Sequence, residues 1–208
     1  MRDEGFFQNE IVRRFPSEHP RVWSEIENRY RIIAPDVAFA RTSSNPVDRR
    51  LEFCSWFLAT IQVLELRGED FASIRATCLA ITIEYVRPKN KWQAWLKRLP
   101  VRLIRTPLLR VAKYLVRTRA GVKGHSDGFL VQLVTDPVET LGLGYGIDIL
   151  ECGILKLFRK YGAARYVPIL CEVDELTSSL AGLELVRGGT IANGAAKCDF
   201  RYRIQPRR

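Results

Sequence analysis

Residues 145–162 read YGIDILECGILKLFRKYG, and the fold turns on where this stretch changes period. From Tyr145 to Cys152 the side chains alternate, the two-residue repeat of a β-strand with two unlike faces. Tyr145, Ile147, Ile149 and Glu151 share one face. Gly146, Asp148, Leu150 and Cys152 share the other, continued back to Gly144. The following ILKLFRKYG reads as a short helix that stops at Gly162, where a residue free to adopt positive φ is favoured.

Working outward, GFLVQLV (128–134) is an apolar strand candidate, and TDPVETLGLG (135–144) is the loop that returns the chain. Downstream, ARYVPILCEVDELTSSLAG (164–182) predicts a longer helix, with Pro168 tolerated near its first turn. LELVRGGTI (183–191) reads as a strand, ANGAAK (192–197) as a turn and CDFRYRI (198–204) as the last strand. In that last strand Cys198, Phe200 and Tyr202 face one way, and Asp199, Arg201 and Arg203 the other. The order strand-strand-helix-helix-strand-strand predicts an α+β fold: a small antiparallel sheet with helices on one face.

Toward the N-terminus, a helix is expected over about 21–33, followed by the turn RTSSNP. RLEFCSWFLATIQVLEL (50–66) and EDFASIRATCLAITIEYV (69–86) are apolar enough to be buried helices packed on the sheet. Cys54 and Cys78 lie inside these runs and read as small core thiols. The chain thus divides into an N-terminal helical region (1–87), a basic amphipathic segment (88–123) and a C-terminal α+β domain (124–208).

The formal net charge is +10, but twelve Lys or Arg and no Asp or Glu fall between Arg87 and Lys123, so the rest of the chain sums to −2. In that segment Trp92, Trp95, Leu96, Leu99, Leu103 and Ile104 recur at helical spacing among the cations. Such a pattern suits a reversible contact with an anionic membrane or an acidic protein partner. No helix-turn-helix, zinc-finger or RNA-binding signature accompanies it, which argues against nucleic acid. No apolar run is long enough to span a bilayer, and the polar start MRDEGFFQNE is unlike a signal peptide. Five widely spaced cysteines, an odd number, indicate reduced thiols and a cytoplasmic location.

Three of the five, Cys152, Cys171 and Cys198, fall in the last 57 residues. Core packing, a metal site and a catalytic or ligand-contacting role all remain open for them. Their spacings of 19 and 27 residues match no compact zinc pattern, so no cofactor is predicted and a metal ion is the weaker alternative. On a helix, Asp174 and Glu175 lie one turn from Cys171 and on its face. GLGYG (142–146) lacks the order of a dinucleotide loop, and neither GxSxG nor HExxH occurs.

The segments ECGILKLFRKYG, YVPILCEVDE and GLELVRGGTIANGAAKCDFRYR resemble the C-terminal signature of the L-2-amino-thiazoline-4-carboxylic acid hydrolase family, over roughly Gly128 to Arg203. Cys152 to Phe158 follows the family's Cys-x-Ile-Leu-Lys-Leu-Phe. Leu170 to Asp174 follows its Leu-Cys-Glu-Leu-Asp, with Val173 for leucine. Gly194 to Arg201 follows its Gly-Gly-x-x-Cys-Asp-Phe-Arg, with Ala195 at the second glycine.

The resemblance implies hydrolytic opening of a small cyclic amidine or a related C=N or amide ring. Two divisions of labour are compatible with it. Either Cys171 attacks the amidine carbon and Asp174 moves protons, or Asp174 or Glu175 activates water and Cys171 only touches substrate. Cys152 and Cys198 would line the pocket, and Arg159 or Arg201 would clamp a substrate carboxylate. A non-catalytic small-molecule-binding or sensing module on the same fold is the alternative from another class.

Overall fold

The computed structural model describes residues 4–87, 124–180 and 182–205. The basic segment 88–123, with its expected membrane or partner contact, lies outside the described residues. Helices α1 (Glu4–Arg14), α2 (His19–Ile33), α3 (Arg50–Leu66) and α4 (Phe71–Val86) come first. Strands β1 (Leu130–Val134) and β2 (Gly146–Glu151) follow, then helices α5 (Gly153–Lys160) and α6 (Val167–Leu180). Strands β3 (Leu183–Val186) and β4 (Cys198–Ile204) complete the chain. The sheet runs β1-β2-β4-β3, antiparallel at every pairing. This is the α+β architecture expected, with the N-terminal helices packed on it.

Helix α3 is the axis of the core. Every residue from Cys54 to Leu64 is buried, so it presents no solvent face over three turns. Its Trp56 ring is stacked between Trp23 at 5.5 Å and Tyr30 at 3.8 Å, both from α2. Helix α4 starts where the Asp70 carboxylate accepts the Ser73 N–H at 2.7 Å, an N-cap that satisfies one orphan donor. Helix α6 begins at Val167, so Pro168 falls in the first turn, where its missing N–H costs nothing.

Two elements depart from the sequence reading. Helix α1 had no counterpart in it: only Phe7 and Ile11, one turn apart, are buried, too few apolar positions for a clear period. Strand β3 stops at Val186, short of the expected 183–191. The N–H groups of Gly188 and Gly189 turn instead to the Asp199 carboxylate, each at 3.0 Å, and leave the ladder.

A buried polar node joins the helices to the sheet. The two turns between α2 and α3, Ala34–Arg41 and Pro46–Arg49, are 3₁₀. The second carries Asp48 and is capped by Asn45, and both residues are fully buried. Asn45 Nδ2 donates to the Phe129 carbonyl at 2.8 Å, and the Asp48 carboxylate accepts the Phe129 N–H at 2.8 Å. Ser43 donates to the second Asp48 oxygen at 2.5 Å. A single residue ahead of β1 is thereby gripped on both its backbone groups by the segment that launches α3.

Candidate functional site

Cys198 opens β4 opposite Ile149 of β2, on the face turned toward the helices. Its sulfur accepts the Ile191 N–H at 3.2 Å. Cys171 lies in the second turn of α6, partly buried against the same core. Cys152 sits between β2 and α5 as the N-cap residue of α5. Strict alternation would carry Cys152 to the Asp148 side of the sheet. The β1–β2 register slips where Val131 pairs with Ile149 and Leu130 with Glu151, leaving Leu150 unmatched. One extra residue resets the phase of a strand, and Cys152 joins Ile149 and Cys198 on the helix side.

The three thiols are close enough that a charge on one is felt at the others, and Asp174 acts on all three. Asp174, one turn beyond Cys171 on α6, forms an ion pair with Arg50, the first residue of α3, 124 positions away in the sequence. The Arg50 side chain is 45% exposed, while that of Asp174 is only 13% exposed, so the pair stands at the solvent edge of the thiol cluster. Tyr145 and Tyr202 stack at 5.8 Å within the reach of Arg50's charge.

Arg187, just after β3, supplies the second cation. Its side chain is only 9% exposed, and its guanidinium lies over the Phe200 ring at 5.4 Å. Nη2 donates to Glu175 at 2.7 Å and to the Cys171 carbonyl at 3.3 Å. Nη1 is buried and, among the described residues, has no acceptor.

Burial dominates the thiol chemistry. It pushes Cys171 up to about 12, helped by the Asp174 carboxylate and opposed by Arg187. Burial pushes Cys152 up to about 11; the N–H groups of Leu155 and Ile154 in the first turn of α5 work against it. Cys198 is also raised by burial, opposed by its Ile191 N–H and Arg187. At neutral pH the site therefore holds protonated thiols beside one carboxylate and two guanidinium groups. Arg50 itself is held more firmly protonated by Asp174.

Of the residues singled out from the sequence, Cys152, Cys171, Cys198 and Asp174 come together. Glu175 sits at the rim, 58% exposed and paired with Arg187. Arg159 is exposed in the last turn of α5. Arg201 lies on the opposite face of β4, where Nη1 donates to Asp148 at 2.8 Å and Nε to the Glu139 carbonyl at 3.1 Å. Neither arginine is placed with the thiols.

Arg50, Arg187, Tyr145 and Tyr202 went unnoticed in the sequence. Alternation had put Tyr202 on the Cys198 face, which was the one available signal. Cys54, one helical turn from Arg50, is buried core and pushed up to about 12 by burial, opposed by Arg50 and helped by Asp174 and Cys152. Cys78 is pushed up to about 12 by burial alone.

Among the described residues no three His, Cys, Asp or Glu are grouped tightly enough to hold a metal ion. His125 stacks on Phe39 at 3.9 Å. A separate small cleft, lined by Asp36, Phe39, Leu51, Asp127, Lys156 and Lys160, shares no residue with the thiol site. Its lysines are already engaged: Lys160 with Asp36 at 2.8 Å, and Lys156 with the Ser126 carbonyl at 2.7 Å and Glu151 at 2.5 Å.

The family model for L-2-amino-thiazoline-4-carboxylic acid hydrolase matches residues 74–202, more than half of the chain, and the chain belongs to that family. The match begins in α4 and includes the basic segment, so it extends well ahead of the signature read from Gly128 onward. Cys152, Cys171, Asp174, Arg187 and Cys198 fall inside it; Arg50 and Cys54 precede it. No curated protein and no solved structure matches the chain. Membership assigns the chain to a hydrolase class in general.

Proposed function

We propose that the protein opens a small cyclic amidine, of the L-2-amino-thiazoline-4-carboxylate kind, or a related ring containing C=N. The observation that carries this reading is the gathering of Cys152, Cys171 and Cys198 about Asp174 between two guanidinium groups. An amidine is basic and enters as a cation. Asp174 suits that cation. Positive charge arriving beside Cys171 lowers the cost of ionising its thiol.

In the proposed sequence Cys171 Sγ bonds to the amidine carbon as its proton passes to Asp174. The C=N electron pair moves to the ring nitrogen. Collapse of the tetrahedral adduct breaks the bond to the ring sulfur, which leaves with a proton and opens the ring. Water then adds to the same carbon, Cys171 departs, and the product is an N-carbamoyl cysteine. One water is consumed, and Cys171 and Asp174 return to their starting states. Cys198 and the two tyrosines shape the pocket.

A second assignment has its own support. The N–H groups of Leu155 and Ile154 at the head of α5 favour a thiolate at Cys152. Cys152 would then be the nucleophile and Cys171 a contact.

Mass-spectrometric detection of water uptake across a panel of cyclic amidines tests the reading. Turnover abolished in Cys171→Ala and retained in Cys152→Ala supports the first assignment, and the reverse supports the second. Retention in both variants with loss in Asp174→Asn leaves water activation by the carboxylate. Stoichiometric binding with no turnover on any ring would mark a binding module instead. Five unpaired cysteines suit a reducing, cytoplasmic setting. The basic segment would add attachment to an anionic membrane or an acidic partner, tested by vesicle sedimentation at low salt.

A further inference from the structure

Among the described residues of the site, Arg187 carries a buried donor that meets no acceptor. A guanidinium presents its donors in a fixed planar fork. Nη2 is committed to Glu175 and the Cys171 carbonyl, while Nη1 is buried and meets no acceptor. The side chain is more than nine-tenths buried and stays in place through the Phe200 ring beneath it. A buried donor of a charged group without a partner is unfavourable, and a ligand acceptor that completes the fork removes that cost.

We propose that Arg187 is the residue that anchors the substrate carboxylate. This rests on the reading of the site as one for cyclic amidines. Two opposite charges act on Cys171 and together complement a zwitterion: the Asp174 carboxylate the amidinium, and the Arg187 guanidinium, which donates to the Cys171 carbonyl, the acid. Arg50 is less suited to the anchor, because its side chain is 45% exposed, whereas that of Arg187 is 9% exposed and carries the buried donor without an acceptor. Admission of the carboxylate to Nη1 requires a side-chain adjustment at the rim, where Glu175 is exposed. Arg187 is a positioning and specificity residue here; it takes no part in bond making.

The test compares three probes by titration calorimetry: L-2-amino-thiazoline-4-carboxylate, its 4-carboxamide, and 2-amino-thiazoline without the substituent. In the wild-type protein the acid is expected to bind roughly 10- to 100-fold more tightly than the other two, the range of a charge-assisted pair. Arg187→Met removes that preference and leaves the weak binding shown by the two probes without a carboxylate. Arg187→Lys restores part of it, since a point charge replaces the fork. The wild-type comparison needs no variant, so a folding defect in Arg187→Met leaves the test intact. Equal affinity for acid and amide, a preference that survives in Arg187→Met, or no binding of any probe overturns the proposal. Turnover is read separately. Preference for the acid without hydrolysis overturns the hydrolase reading and leaves the anchor; equal hydrolysis of all three probes does the opposite.

Discussion

Gly128→Ala is the substitution with the clearest consequence. A Cβ at Gly128 would stand 2.6 Å from Asp48 Oδ1, 2.8 Å from Oδ2 and 2.9 Å from Cγ, all well inside contact distance. The backbone there is not left-handed, so the demand for glycine is steric alone. Asp48 has nowhere to retreat. It is fully buried and holds the Phe129 N–H at 2.8 Å and the Ser43 hydroxyl at 2.5 Å. Overpacking costs about 1–3 kcal/mol, and a strained or broken bond from Phe129 N–H to a carboxylate adds about 1.5–3. The expected loss is about 3–5 kcal/mol. At about 2–4 °C per kcal/mol for a chain of this size, melting falls by roughly 6–20 °C. Gly153 packs on Gly128, its own Cβ position 3.1 Å from the Gly128 carbonyl carbon, so displacement passes to the residue that follows Cys152. Activity should therefore fall with stability. Thermal and urea denaturation measure the loss, and a cycle with Asp48→Ala identifies its cause. With the carboxylate gone, Gly128→Ala should cost about 1 kcal/mol or less, a coupling typical of residues in contact. A cost below about 1 kcal/mol in the wild-type background, or an unchanged cost in Asp48→Ala, would refute the steric argument.

Other expectations concern the titrating groups. Cys54 and Cys78 are buried and pushed up to about 12 from an ordinary 9.0. The unfolded chain ionises first, so their contribution to stability is complete below pH 9 and is lost as pH rises toward 12. Urea midpoints across that window should decline, and a flat profile would contradict the burial of these thiols. Asp174→Asn removes a charge that raises Cys171. The pH midpoint for alkylation of Cys171 should shift downward in that variant, as followed by peptide mass spectrometry; an upward shift would contradict the charge assignment. Trp56→Ala empties the stack between Trp23 and Tyr30 and should cost about 3–5 kcal/mol, read from the same denaturation curves.

How much was written in the chain locally is clear from particular elements. The alternation in CDFRYRI put Cys198, Phe200 and Tyr202 on one face, and β4 has them there, because strand geometry admits only two sides. The apolar run 50–66 became the central helix for an equally local reason: it has no polar stripe to expose. The i, i+3 spacing of Cys171 and Asp174 likewise belongs to the helix itself. Tertiary structure decided the rest. The unmatched Leu150 sends Cys152 to the helix side, a displacement of phase that depends on pairing with β1. Arg50 reaches Asp174 across 124 positions, and no local pattern encodes that meeting. Arg201, which alternation correctly placed opposite Cys198, is bound there by Asp148, while Arg187, inconspicuous in VRGG, lies beside Cys171 with one donor unused. Periodicity is enforced by covalent geometry and is therefore visible in one dimension. Charge partners and orphaned donors are properties of which surfaces the packed core brings together.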